Sequence, residues 1–315
     1  MEYLIGVDLG GTKISSAISD LEGNVLHEVR IPTEGKEGEE KVMERILDSI
    51  LKLLELTGAD HMDIVSIGIG TPGIIDKKEG KILRAYNLPF KDYDLLGPIR
   101  KKFKSTCTLE NDANAAALGE FYFGQGKGKS NLIYLTISTG VGGAAIIDGK
   151  LQEGSTGNAF EPGHMIIEPR STVQCNCGLY GDVEALASGT AITKRALEAI
   201  ERGEETLLKA YEPVSPKEVH DAYLKEDQVA ERILDEAFFY TGITVANLIS
   251  LYNPEVLVIG GGVSFIGELF FSKVKETAKN SCLSFLYDAC EIMPSGLGEN
   301  TGVMGALAVA KISCR

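Results

Sequence analysis

No apolar stretch in this 315-residue chain approaches the roughly 18 consecutive residues of a membrane span, which sets aside a helical membrane protein. The N-terminus, Met1-Glu2-Tyr3-Leu4-Ile5-Gly6, lacks the basic stretch and long apolar stretch of a signal peptide. Positive charge is in short supply: Lys and Arg total 31 against 45 Asp and Glu, a formal net charge of −14. An acidic chain repels phosphodiester backbones, so nucleic acid is a poor partner. A small anion can still be held where backbone N–H groups and a metal ion supply a local positive field. Cysteine is scarce as well. The six residues are scattered except for Cys175-Asn176-Cys177, a usage that fits a reducing cytoplasm, where neighbouring thiols more often mean metal than disulfide. Material for a core is ample: 44% of the residues are hydrophobic and 24% charged. That excludes a disordered chain, and the length suits two domains rather than one.

Two nucleotide signatures are also missing. Gly124-Gln125-Gly126-Lys127-Gly128-Lys129-Ser130 is one residue short of a P-loop and follows a helix instead of a strand. Gly260-Gly261-Gly262 is not a dinucleotide fingerprint, because Phe265 stands where the third glycine belongs.

Glycine, by contrast, is in excess at 36 residues. It gathers where strands meet turns, at Gly10-Gly11, Gly68 and Gly70, Gly140 with Gly142-Gly143, and Gly260 to Gly262. Strands are expected over 3–8, 13–18, 25–31 and 64–70, a helix over about 39–56, and an Ala-rich helix after a short strand that ends at Asn111-Asp112. The pattern then restarts. A strand over 131–138 enters the turn Gly140 to Gly143, with a strand over 144–147 beyond it. Helices follow over about 189–202, 216–225 and 228–251, then a strand over 256–259 and a last helix over about 302–311. The likeness of the two glycine turns suggests duplicated α/β domains with a ligand cleft between them.

Each motif has a chemical reading. In Asp8-Leu9-Gly10-Gly11-Thr12-Lys13 the turn aims N–H groups at phosphate, Thr12 and Lys13 add a hydroxyl and a charge, and Asp8 can hold Mg²⁺ through water. Ser138 to Gly143 looks like a second copy, with Thr139 and Gly140 in the turn. Gly260, Gly261 and Gly262 end a strand in a flat surface suited to a base or ribose. Glu110-Asn111-Asp112-Ala113-Asn114 gathers polar groups at a strand-to-helix junction. Asn111 can bond sugar hydroxyls and Asp112 can take a proton from a hydroxyl nucleophile. Helix capping alone needs only one of them. Glu161-Pro162-Gly163-His164, followed by Cys175-x-Cys177, offers three ligands for a tetrahedral Zn²⁺.

Taken together, these residues resemble the ROK family (repressors, open reading frames and sugar kinases), of the actin/hexokinase/heat-shock-protein ATPase fold. The resemblance covers essentially the whole chain. It implies a two-lobed, actin-like (ribonuclease H-like) α/β protein. The small N-terminal domain spans 1–112, with the helix 302–315 returning to it, and the large domain spans 113–301. It implies a cytoplasmic enzyme that uses ATP and Mg²⁺ to phosphorylate a hexose at the 6-hydroxyl. Asp112 matches the catalytic base. Asn111, Glu161, His164 and Glu184 match sugar contacts, and Asp8, Gly10, Gly11, Thr12, Lys13, Thr139, Gly140 and Gly260 to Gly262 match ATP contacts. His164, Cys175 and Cys177 match zinc ligands, and a homo-oligomer, dimer or tetramer, is implied. Likeness over 158–165 and 184–189 favours glucose. Mannose, fructose and N-acetylmannosamine remain alternatives, as does a sugar-binding regulator. The regulators carry a DNA-binding domain ahead of the first strand, for which the strand beginning near Tyr3 leaves no room. The chain departs from the family twice. Asp182 stands where a third Cys is usual, at the same interval from Cys177 and so as fourth zinc ligand, and Phe160 stands where a small residue precedes Glu161.

Overall fold

The computed structural model describes residues 1–85 and 87–314. Contacts divide the chain into two units. The first runs from Met1 to Gly128 and also takes Glu153–Asn158 and the chain from Gly296 onward. The second holds Lys129–Gln152 and Ala159–Ser295.

In the first unit β1 (Tyr3–Leu9) and β2 (Lys13–Ser19) are buried almost throughout, whereas β3 (Val25–Pro32) is an exposed edge. Helix α1 (Glu39–Thr57) buries Val42, Ile46, Ile50 and Leu53, a helical spacing, and ends at Gly58 in the left-handed region. Strand β4 (Ile64–Thr71) is followed by a small sheet of β5 (Ile74–Asp76), β6 (Lys81–Arg84) and β7 (Lys91–Asp94). Helix α2 (Leu96–Phe103), β8 (Thr106–Asn111) and α3 (Asp112–Phe123) complete the run. The main sheet has the order β3-β2-β1-β4-β8. β1, β2 and β3 are antiparallel, and β1, β4 and β8 are parallel. The C-terminal helix, Thr301–Ile312, lies across β1 and β4. It comes so close that a Cβ on Gly68 would collide with the Ala306 carbonyl.

The second unit repeats the plan. β9 (Leu132–Ile137), β10 (Val141–Ile147) and β11 (Lys150–Leu151) form an antiparallel meander. Helices α4 (Val183–Ala187), α5 (Gly189–Glu201), α6 (Pro216–Tyr223) and α7 (Gln228–Tyr252) follow. Next come β12 (Val256–Gly260), α8 (Glu268–Ser281), α9 (Ser284–Tyr287) and β13 (Glu291–Pro294). The sheet order is β11-β10-β9-β12-β13, with β9, β12 and β13 parallel. Helix α7 carries much of the core, and its Phe238 meets Phe270 of α8 edge to face at 5.1 Å.

Two sheets of identical order and sense, each one antiparallel meander plus two parallel strands, define the duplicated α/β fold of the actin-like ATPases. Two sequence expectations are corrected. Helix α3 was assigned to the second domain, but it belongs to the first unit. Its Ala115 lies directly against Gly305 of the C-terminal helix, a small-residue contact that brings the two backbones together. Gly142 and Gly143, expected in a turn, pair within β10, so the turn itself is Ser138 to Gly140.

Candidate active site

In the first unit the β1–β2 turn is a tight backbone loop. The Gly10 amide donates to the Lys13 carbonyl (3.0 Å), and buried Thr33 on the adjoining segment donates its hydroxyl to the Gly10 carbonyl (2.6 Å). Thr12 and Lys13 stay exposed, with Gly10 and Gly11 half-buried beside them. Asp8 sits one residue before the end of β1. Its carboxylate fills the space that a Cβ on Gly302, at the start of the C-terminal helix, would need. The helix N-terminus favours an anion there.

The β8–α3 junction separates capping from chemistry. Asn111 is the cap: its Oδ1 accepts from the amides of Ala113 (2.9 Å) and Asn114 (3.3 Å). That leaves the Asn111 Nδ2 for a ligand. One oxygen of Asp112 also accepts from the Ala113 amide, and the side chain is otherwise accessible. Beneath them Glu110 is buried, accepting from the Asn111 amide and from Asn114 Nδ2, both at 3.0 Å, and pairing with Lys77. Lys77 also pairs with Glu153.

The charge of Asp112 acts on Asp8. Burial first, then the charge of Asp112, raises the Asp8 pKa from 3.8 to about 6, with Lys13 opposing. Asp112 is solvent-exposed as a residue, yet protein fills most of the space around its carboxyl. The lost solvation raises its pKa, against the Ala113 hydrogen bond. Crowded carboxylates with raised pKa values are what a divalent cation relieves, and they suit proton abstraction near neutral pH.

In the second unit a cavity of about 420 Å³ opens beside the β9–β10 turn, within the size range of small-molecule sites. Thr139, Gly189 and Gly262 line it, and Thr190, Thr193 and Lys217 are further wall residues that no sequence motif marked. The Thr139 carbonyl accepts from the Thr190 hydroxyl (2.7 Å), which ties the turn to the start of α5. Gly140, Gly260 and Gly261 stand close to the lining residues in sequence without lining the cavity themselves. Gly260 packs under the Tyr134 ring, and Gly261 turns the chain at φ 87° against the Ile137 backbone.

Glu161 opens the short 3₁₀ turn Pro162–His164, whose Gly163 presses on β10 at Val141. Phe160 before it adopts φ 66°, left-handed for a bulky residue, and its ring packs on Gly143 and Tyr252. Glu184 accepts from the Val141 amide through one oxygen (2.9 Å) and faces the Cys175 thiol with the other (3.5 Å).

The ligand atoms of His164, Cys175, Cys177 and Asp182 all lie within 4.8 Å of one another. Asp182 is fully buried and does two jobs. Its Oδ1 caps α4 at the Ala185 amide (2.8 Å). Its Oδ2 lies 3.2 Å from His164 Nδ1 and 3.4 Å from Cys177 Sγ. The edges of a tetrahedron built from ordinary zinc bond lengths are about 3.3–3.8 Å, so the set fits zinc. Burial pushes Asp182 up, but the Ala185 amide, His164 and the two thiols outweigh it and lower its pKa. Burial raises that of Cys175.

A duplicated fold of this order, with a paired-carboxylate turn in one unit and a glycine-rich cavity in the other, defines an actin-like phosphotransferase class. Comparison with known proteins narrows it. The ROK family model matches residues 4–312, and the chain belongs to the ROK family. A glucokinase of Halalkalibacterium halodurans is 34% identical over 307 residues, covering 96% of this chain and 93% of its own. A xylose repressor of Caldicellulosiruptor bescii is also 34% identical, over 97% of this chain and 77% of its own. A ROK glucokinase structure from Streptomyces griseus, in complex with glucose and AMPPNP, superposes with a TM-score of 0.80 at 31% identity. It covers 98% of this chain and 99% of that one.

Proposed function

We propose that this protein is an ATP-dependent hexokinase that converts glucose to glucose 6-phosphate. The observation that carries the reading is the Asp112 turn. Asn111 meets the capping demand of α3 while an accessible carboxyl with a raised pKa stands beside a second one, Asp8. A chaperone-type ATPase or a sugar-sensing regulator has no need of such a base.

In this reading Asp112 takes the proton of the sugar 6-hydroxyl as that oxygen attacks the γ-phosphorus. Asn111 donates from Nδ2 to a neighbouring sugar hydroxyl. Glu161 and His164 bind further hydroxyls. His164 presents Nε2, since Nδ1 is directed to Asp182. Glu184 supports the Val141 backbone and contributes to the sugar contact from there. The backbone of Gly10, Gly11 and Gly140, with Thr12, Lys13 and Thr139, receives the phosphates. The cavity beside Gly262 receives the nucleoside, with Gly260 and Gly261 shaping its floor. Asp8 is the residue that would hold the nucleotide's Mg²⁺, which supplies charge neutralisation at the phosphoryl oxygens. His164, Cys175, Cys177 and Asp182 would hold a structural Zn²⁺ that fixes the His164 ring. The six cysteines are free, which agrees with a cytoplasmic enzyme. No helix among the described residues is long and apolar enough to cross a membrane.

Phosphorus NMR of a reaction with ATP and glucose tests the reading. Glucose 6-phosphate with stoichiometric ADP is the expected product. ATP loss without a sugar phosphate refutes it.

A further inference from the structure

A second cavity, of about 470 Å³, lies within the second unit on the opposite face of α5. Thr190 and Thr193 of that helix face the nucleotide cavity, whereas Lys194, Arg195, Glu198 and Arg202 line the second one, a spacing that puts them on one helical face. Arg232 and Glu236 of α7 form the facing wall, and Ala185 of α4 closes it, next to Glu184. Four cations against two carboxylates, Glu198 and Glu236, leave this small volume net positive in a chain whose net charge is −14.

The pairing of these cations is incomplete. Arg202 and Arg232 share Glu204, at 2.9 and 2.7 Å. Arg195 Nη2 pairs with Glu236 at 3.1 Å, whereas its Nη1 is buried with no hydrogen-bond partner. Lys194 has no ion-pair partner among the described residues and is exposed at the rim. A buried guanidinium with unspent donors is unfavourable unless something accepts from it. Burial already lowers the Arg195 pKa, with Glu236 opposing.

We infer that this cavity binds a small phosphate monoester, whose terminal oxygens accept from Arg195 and Lys194. A phosphate group has enough acceptor oxygens for a guanidinium fork and an ammonium at once, and the volume leaves room for a three- to six-carbon body. None of these side chains belongs to the proposed kinase site. Because α5 forms a wall of both cavities, the ligand also changes nucleotide affinity, and this second statement rests on the nucleotide reading above.

Calorimetric titration with glycerol 2-phosphate tests the site, with glucose and a non-hydrolysable ATP analogue saturating the other positions. Binding at millimolar or lower concentration is expected. Arg195→Met and, as the surface variant that does not disturb packing, Lys194→Met should each weaken it about tenfold, the loss of one charge-assisted contact. No binding to the wild type, or binding unchanged in Lys194→Met, overturns the proposal, and malate binding as tightly as the ester overturns the ligand class. The reverse titration, analogue into protein with and without the ester, should show at least about a twofold change in affinity, while equal values overturn the coupling. If the analogue does not bind at all, the nucleotide reading is what fails, and the ester titration still decides this cavity.

Discussion

Replacing Asp8 by Asn removes one of two crowded carboxylates, and the structure sets the size of the effect. The Asp8 pKa is raised from 3.8 to about 6 by burial and by Asp112, with Lys13 opposing. A shift of about two units corresponds to about 3 kcal/mol. Partial access of solvent to the side chain reduces this to about 1–2 kcal/mol. The sign follows from proton linkage. Between the unfolded value and about pH 6 the folded chain holds a proton that the unfolded chain has lost, so stability through this group falls as pH rises across that window. At neutral pH the folded state carries the full penalty, which Asn does not. In chelator, Asp8→Asn is therefore expected to match or fall below the wild type at about pH 4. At pH 7.5 it should exceed the wild type by about 1–2 kcal/mol, or about 2–8 °C in the melting temperature of that unit. Circular dichroism melts at both pH values measure this. A variant that is less stable at pH 7.5, or one whose difference from wild type does not change with pH, refutes the electrostatic account of the site. The same substitution should sharply reduce kinase activity, the usual exchange of stability for function.

Asp112→Asn keeps the Ala113 hydrogen bond and should leave hexose KM near the wild-type value while lowering kcat by about 10²–10⁴, read by steady-state kinetics. Near-native turnover would leave Asp112 as a structural residue alone. Elemental analysis of protein purified without added metal should find close to one zinc per chain. Asp182→Ala should lose the metal and also about 1 kcal/mol of α4 capping, whereas Asp182→Cys should bind zinc more tightly with kcat little changed. Zinc-free wild type with full activity would remove the metal from the account. Gly261→Ala forces a side chain into the left-handed region and against the Ile137 backbone. It should weaken nucleotide binding and lower stability by about 1–3 kcal/mol, measured by calorimetry and melting.

The parts of this architecture written in short stretches were legible. A strand entering a glycine turn is a local event, so β1, β9 and β12 were readable, as was the polar junction before α3, whereas the turn after β9 was drawn too long because Gly142 and Gly143 pair within β10. Parts that depend on pairing were not. β5, β6 and β7 are strands of three or four residues, and β7 reads Lys91-Asp92-Tyr93-Asp94, with no alternation to mark it. Thr33 and Lys77 support the site across long sequence separations, reaching Gly10 and Glu110, and nothing near them in sequence gives that away. The interval from Cys177 points to Asp182, and the fold brings its carboxylate within 4.8 Å of the ligand atoms of His164, Cys175 and Cys177. That one carboxylate both caps α4 and turns an oxygen toward His164 required the three-dimensional turn, because a residue three before a helix amide reads equally well as a cap alone. The boundary after Asp112 was misplaced for a similar reason: the contact between Ala115 and Gly305 is invisible until the C-terminal helix is folded onto β1 and β4.

The central claim is hexose phosphorylation with glucose as the preferred acceptor, and a coupled assay of ADP formation across glucose, mannose, fructose and N-acetylmannosamine addresses it most directly. The account predicts negligible ADP without sugar, the highest kcat/KM for glucose and mannose second, because a pocket of hydrogen-bonding groups penalises sugars that leave those groups unpaired. ADP formation indifferent to hexose would contradict the kinase assignment, and a preference for fructose or N-acetylmannosamine would contradict glucose as its substrate.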